Sequence, residues 1–113
     1  MYVKTDLILL RLIIQNLVSN AVKYTKTNTK IVITAKKERK KVVIQVQDQG
    51  PGIPEKEREN IWERFYRIKN DEVYEVKGTG LGLYLSQYFA HKLKIKLELK
   101  ESNPSGSTFQ VVL

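Results

Sequence analysis

The feature that most constrains this chain is a strand whose own alternation ends on a charge. In the stretch VVIQVQDQGPGIP, residues 42–54, Val42, Ile44 and Val46 fall on one face of an extended segment and Val43, Gln45 and Gln47 on the other. One further step of the same period carries Asp48 onto the apolar face. A carboxylate entering an apolar layer without a partner is strongly disfavoured, so Asp48 must meet hydrogen-bond donors. Three sources are open: backbone amides, as in an Asx arrangement of its own turn, a nearby hydroxyl, or a ligand donor such as the exocyclic amine of adenine. Gly50 and Gly52, either side of Pro51, permit a tight turn and a close approach of backbone to such a ligand.

The rest of the chain supplies elements to pack around that strand. Thr5 or Asp6 can cap a helix running to about Tyr24, because Leu7, Leu10, Ile14, Leu17, Val18 and Ala21 recur at helical spacing. Residues 30–37 and 41–48 read as a hairpin, with Ile31, Ile33 and Ala35 alternating in the first strand as the valines do in the second. Pro54 suits the first position of a short helix containing residues 55–63. The stretch RFYRIKNDEVYEVKGTG is then irregular, and a long structureless connection in a compact domain is commonly a functional lid. A second helix over about 81–91 carries Leu81, Leu85, Tyr88 and Phe89 on one stripe. A strand with Leu93, Ile95, Leu97 and Leu99 inward, an NPSGS turn and a final strand with Phe109, Val111 and Leu113 complete the chain. This pattern predicts an α/β (α+β) fold: a two-layer sandwich with a mixed, mostly antiparallel sheet packed against helices.

With 113 residues, the chain fits a single domain. No apolar run approaches the roughly 20 residues that span a bilayer, and no secretory leader is evident, so a soluble, cytoplasmic domain is expected. The absence of cysteine excludes disulfides and thiolate metal sites, and a single histidine, His91, argues against zinc. The formal net charge of +8 attracts polyanions. Much of it, however, sits in KKERKK, residues 36–41, and at alternate positions of KLKIKLELK, residues 92–100, where lysines read as a solvated turn and sheet face. The interleaved aromatics of single-strand readers are not evident, and no nucleic-acid partner is expected. A basic surface for nucleic acid or an acidic partner is the rival reading.

Two more features stand out. On the first helix Asn16, Asn20 and Lys23 fall within a sector of about 60°, apart from Leu10, Ile14, Leu17 and Ala21. This stripe is either a solvent face or a set of neutral oxygens for a hydrated Mg²⁺ and a cation for a phosphate, with Tyr24 beside Asn20 at the rim. In KGTGLGLYLS, Gly78, Gly80 and Gly82 leave backbone N–H groups unobstructed where a helix begins near Leu81, which makes either a phosphate cradle or a glycine hinge. The run follows no strand of a βαβ unit and lacks the P-loop spacing, so neither of those nucleotide motifs applies.

In this order, NLVSNAVKYT, DQGPGIP, IWERFYR, GTGLGL and GSTFQVVL resemble the N, G1, F, G2 and final glycine-rich boxes of the ATP-binding catalytic domain of sensor histidine kinases. The resemblance runs from about residue 5 to 113, and places the chain in the wider group of gyrase, Hsp90 and mismatch-repair ATPases, which share the Bergerat fold. It implies that Asp48 accepts from the adenine amine and that Thr108 supports this contact through water. Gly50, Gly52 and Ile53 would shape the base pocket, and Tyr24 would stack near the adenine. Asn20, with Asn16 beside it, would hold Mg²⁺, and Lys23 would meet the phosphates. Gly78, Thr79, Gly80, Leu81, Gly82 and Leu83 would line the triphosphate side of a flexible ATP lid over about 54–80, which Phe65 would anchor. Arg64 and Arg67 would reach the γ-phosphate or the partner domain, and join Asn16 and Lys23 as the catalytic set.

The activity implied is transfer of the γ-phosphoryl group of ATP–Mg²⁺ to a histidine on a separate dimerisation domain, which this chain does not include, with a response regulator downstream. The isolated domain would be monomeric, and its parent a homodimer that is membrane-anchored in some family members. An ATPase or serine kinase of another branch of the fold is the alternative, and IWERFYR weighs against it. The main departure is HKL, residues 91–93, where the family often has His-Gly-Gly; the expected effect is local geometry near Lys92, with His91 not the phosphoacceptor. Met1 is expected to begin an excised fragment.

Overall fold

The computed structural model describes residues 6–25, 28–66 and 82–113, apart from the Tyr24 side chain. Along the chain these form α1 (Leu7–Tyr24), β1 (Val32–Glu38), β2 (Lys41–Gln47), α2 (Gly82–Leu93), β3 (Lys96–Asn103) and β4 (Gly106–Val112), with two 3-10 turns, Glu55–Glu57 and Asn60–Trp62, between β2 and α2. The sheet has the order β1-β2-β4-β3, and every pairing among the described residues is antiparallel. The helices pack on each other, with α1 against β2 and α2 against β3, giving the two-layer sandwich expected.

Asp6 starts α1 by accepting from the amides of Ile8 at 2.9 Å and Leu9 at 3.1 Å, two donors the first turn cannot satisfy itself. Below the cap, Ile13, Leu17 and Ala21 are buried with Val46, Leu97, Phe109 and Val111 in one core. Leu7, expected in the apolar stripe, is 73% exposed because the first turn projects beyond what covers the rest of the helix. Ile13, outside the expected stripe, is fully buried: α1 faces both sheet and α2, so its covered sector is wider than one stripe.

The covered face of α2, centred on Ser86 and Ala90, lies roughly 135° around the helix from the centre of the predicted stripe. Ser86 and Ala90 are fully buried, whereas Leu85 and Tyr88 are at least a third exposed. Small side chains let two helix backbones approach closely, and Leu83, Phe89 and Leu93 fill the flanks. Leu93 therefore closes α2 and does not open a strand. The chain leaves the helix through Lys94, at φ 57°, with Lys94 N–H donating to His91 O at 3.2 Å and Ile95 N–H to Ala90 O at 3.0 Å. This is a Schellman closure with a lysine in the left-handed position that glycine adopts without strain, so the departure expected near Lys92 falls two residues later.

Two more expectations change. Residues 55–63 form the two 3-10 turns and not one helix; a segment this short has little helical stability of its own, and Ile61, buried in the core, and Trp62, edge-on to Phe109 at 5.8 Å, decide its path. The alternation of β1 does not mark a buried face, since every residue of that strand is exposed and Ile33 retains 52% of its surface. Among the described residues, no helix is long and apolar enough to cross a membrane.

Candidate functional site

The end of β2 delivers Asp48 to the face carrying Val46, and Asp48 is 6% exposed. Its N–H donates to Ser107 O at 2.9 Å, while its Oδ1 accepts from Gly50 N–H at 2.9 Å and from Ser107 N–H at 3.1 Å. The Asx turn is thus real, and β4 contributes a second donor. Both bonds land on Oδ1, and no described residue donates to Oδ2. One oxygen holds the turn, and the other is not engaged by a described residue.

The loop that follows is pressed against the β3–β4 hairpin, backbone to backbone. A Cβ on Gly52, at φ 81°, would collide with the carbonyl of Asn103, and one on Gly106, at φ 149°, with the carbonyl of Asp48. Gly50, between Asp48 and Gly52 in sequence, is buried. Ile53 N–H donates to Ser102 Oγ at 2.7 Å, and Ser102 Oγ and Ser107 Oγ are 2.8 Å apart. Ile53 itself packs on the core, so loop, hairpin and core are joined at one place.

Thr108 does not stand beside Asp48. It pairs across the ladder with Gln47 and Glu101, on the opposite face of the sheet from Val46 and Phe109. Its neighbour Ser107, 5% exposed, holds the place at the carboxylate. The inward alternation of Phe109, Val111 and Leu113, continued back one step, already reaches Ser107, so the signal was present in the sequence. Ser102 and Arg58, whose guanidinium bonds one carbonyl of the loop and one of β3, carry no such signal.

On α1, Asn16 and Asn20 are half-buried and Lys23 is exposed in the last turn. They lie beside the buried sector of α1 that Ile13, Leu17 and Ala21 form. Among the described residues no group of three or more His, Asp or Glu side chains could hold a metal. Carboxamide oxygens alone suit Mg²⁺ that arrives with phosphates and keeps much of its water, and not a metal caged by the protein.

On the other side, Gly82 opens α2; a Cβ there would meet nothing within 4 Å, and Ser86 Oγ donates to Gly82 O at 2.8 Å. Leu83 is half-buried against the core. Phe65, expected as an anchor, is 63% exposed at φ 65°, whereas Ile61 is buried in the core and Trp62 packs against it. Arg64 lies over the Phe65 ring at 5.5 Å and over the Tyr84 ring of α2 at 5.9 Å, which ties this segment to the start of the helix. Tyr66 donates to Glu57 Oε1 at 2.6 Å; that bond, with burial and the negative charge of Glu57, raises Tyr66 above the usual 10.0. Thr5, the Tyr24 side chain, Arg67, Gly78, Thr79, Gly80 and Leu81 lie outside the described residues.

A family model for histidine kinase-, DNA gyrase B- and HSP90-like ATPases matches residues 5–113. Sensor histidine kinase RppB of Synechocystis is 36% identical over 101 residues, 89% of this chain and 22% of RppB. The chain spans about a fifth of the length of the curated relatives it matches. Among solved structures, the nucleotide-free catalytic domain of the histidine kinase ThkA superposes with a TM-score of 0.81 at 30% identity, over 98% of this chain and 69% of that one. Full-length ShkA in complex with AMPPNP gives 0.75 at 27% identity, over 92% of this chain and 21% of that one.

Proposed function

The chain belongs to the histidine kinase-, DNA gyrase B- and HSP90-like ATPase family, and from that premise we propose that it binds ATP with Mg²⁺ and donates the γ-phosphoryl group to a histidine on a separate dimerisation domain. The observation that carries this reading is the Asp48 carboxylate: buried, clamped on Oδ1 by two amides, with Oδ2 left to accept from the adenine amine. Ser107, whose backbone holds the carboxylate and whose hydroxyl meets Ser102 Oγ, is the hydroxyl residue on this face, and Gly50, Gly52 and Ile53 bound the base.

Little covalent work falls to the protein in such a transfer; the task is to hold the donor in line and offset developing charge. Asn16 and Asn20 offer carboxamide oxygens to Mg²⁺, which when bound neutralises phosphate charge. Lys23 adds a cation at the rim. The N-terminus of α2 directs backbone N–H groups at the phosphates, a role that takes in Gly78 to Leu83. Residues 54–80 act as the lid, from which Arg64 and Arg67 reach the γ-phosphate or the acceptor domain. The AMPPNP complex of ShkA supports the nucleotide, and the length of the relatives supports a larger parent: a two-component sensor kinase, homodimeric and acting through a response regulator.

Calorimetric titration with a non-hydrolysable ATP analogue, with and without Mg²⁺, tests the binding step. Saturable, Mg²⁺-enhanced binding is expected, and silence even at millimolar nucleotide rejects the reading. Supplied with a dimerisation domain in trans, the protein should phosphorylate that domain's histidine. His91, exposed in the last turn of α2, should stay unmodified, and phosphate found on it would reject the assignment of acceptor.

A further inference from the structure

We propose that Arg58 is a positioning residue that sets the shape of the base pocket by bracing the glycine loop against the β3–β4 hairpin; this rests on the nucleotide-binding reading above. Arg58 follows the first 3-10 turn and is half-buried. Its Nε donates to Ile53 O at 3.1 Å and its Nη2 to Ser102 O at 2.8 Å. Ile53 N–H in turn donates to Ser102 Oγ. Ile53 is therefore held at both its N–H and its carbonyl, and Ser102 at both its carbonyl and its hydroxyl.

The brace continues to the carboxylate. Ser102 Oγ meets Ser107 Oγ, and Ser107 N–H donates to Asp48 Oδ1. Ser102, Ser107 and Asp48 are all at most 9% exposed, so this line of contacts runs through the interior. Among the described residues Arg58 pairs with no carboxylate. A guanidinium that directs its donors at carbonyls of two chain segments, 44 and 5 residues away in sequence, is a crosslink rather than an ion pair.

Fold and brace are separable. The loop already meets the hairpin through Gly52 against Asn103 and Gly106 against Asp48, contacts that do not involve Arg58. Without the guanidinium these remain, and what is lost is the fixed placing of Ile53 relative to Asp48. A pocket that must reorganise to bind loses affinity, and a carboxylate held less firmly distinguishes an amine from a carbonyl less well. Adenine and guanine differ in that respect at one ring position.

The test uses Arg58→Leu and Arg58→Lys, with thermal melting beside titration of non-hydrolysable ATP and GTP analogues in the presence of Mg²⁺. Both variants should fold. Arg58→Leu should weaken the ATP analogue about tenfold, the size of one charge-assisted hydrogen bond, and reduce the preference for ATP over GTP. Arg58→Lys should fall between, because an ammonium is a point donor that does not span two carbonyls. Affinity and base preference unchanged in both variants overturn the brace, as does an Arg58→Lys that binds as wild type while Arg58→Leu unfolds, which marks the residue as merely structural. A wild-type protein that binds no nucleotide overturns the nucleotide reading as well; one that binds, with Arg58 variants that bind equally, overturns the brace alone.

Discussion

The glycines of the loop after β2 and of the β3–β4 turn differ from the glycine that opens α2. Gly52 and Gly106 have positive φ, and any Cβ on them would strike a backbone carbonyl. Gly82 sits in an open helical turn with nothing within 4 Å of where its Cβ would be. At the base end glycine is a packing necessity, the condition for loop and hairpin to touch. At the start of α2 packing does not demand it, which leaves ligand approach or motion as its reason. Lys94 is the converse of Gly82: at φ 57° the backbone suits glycine and the chain supplies lysine.

The largest expected effect is that of Gly106→Ala. With backbone opposite its Cβ and no flexible side chain to yield, it should destabilise the domain by about 3 kcal/mol or more in urea unfolding. An equal loss from Gly106→Ala and Gly82→Ala would erase the distinction between the two glycines. Next comes Asp48, whose backbone Gly106 touches. Asp48→Ala strands the amides of Gly50 and Ser107 and should cost about 2–4 kcal/mol. Asp48→Asn keeps an acceptor on one oxygen, so its melting temperature should stay near wild type while nucleotide affinity collapses in calorimetry. If both fall together, Asp48 serves the fold alone.

Smaller effects address the reverse cases. Lys94→Gly should stabilise by about 1 kcal/mol by relieving the left-handed lysine. A loss in denaturant midpoint would mean that the Lys94 side chain contributes more than its backbone strain costs. Gly82→Ala should change stability by less than about 1 kcal/mol, in the favourable direction for a helical site. A simultaneous loss of nucleotide affinity would assign that glycine to the ligand, and unchanged affinity would leave it without a role in binding.

Much of this was legible before the structure. Asp48 was placed by the parity of its strand, and the cap at Asp6, the hairpins and the antiparallel sheet followed from spacing and turn residues. The misses have a common cause. The stripe of α2 was assigned by hydropathy to Leu81, Leu85, Tyr88 and Phe89; Phe89 does pack on the core, but the helix turns Ser86 and Ala90 inward and leaves Leu85 and Tyr88 outward, because a close helix–helix contact favours small side chains over apolar ones. Thr108 was named by likeness of motif, whereas strand parity puts Ser107 on the face of Asp48. Leu7 and the apolar residues of β1 have the right period, yet lie at an end and an edge that nothing among the described residues covers.

What this chain determines by itself is local: which segments alternate, which recur at helical spacing, where a helix is capped, and that a carboxylate must end an apolar face. These follow from backbone geometry, which repeats with a known period whatever surrounds it. Tertiary structure alone decided which side of α2 is buried, which glycines are obligatory, and that Arg58 reaches across to Ser102. Each of those depends on what stands opposite in space, and a period carries no information about the neighbour it will meet.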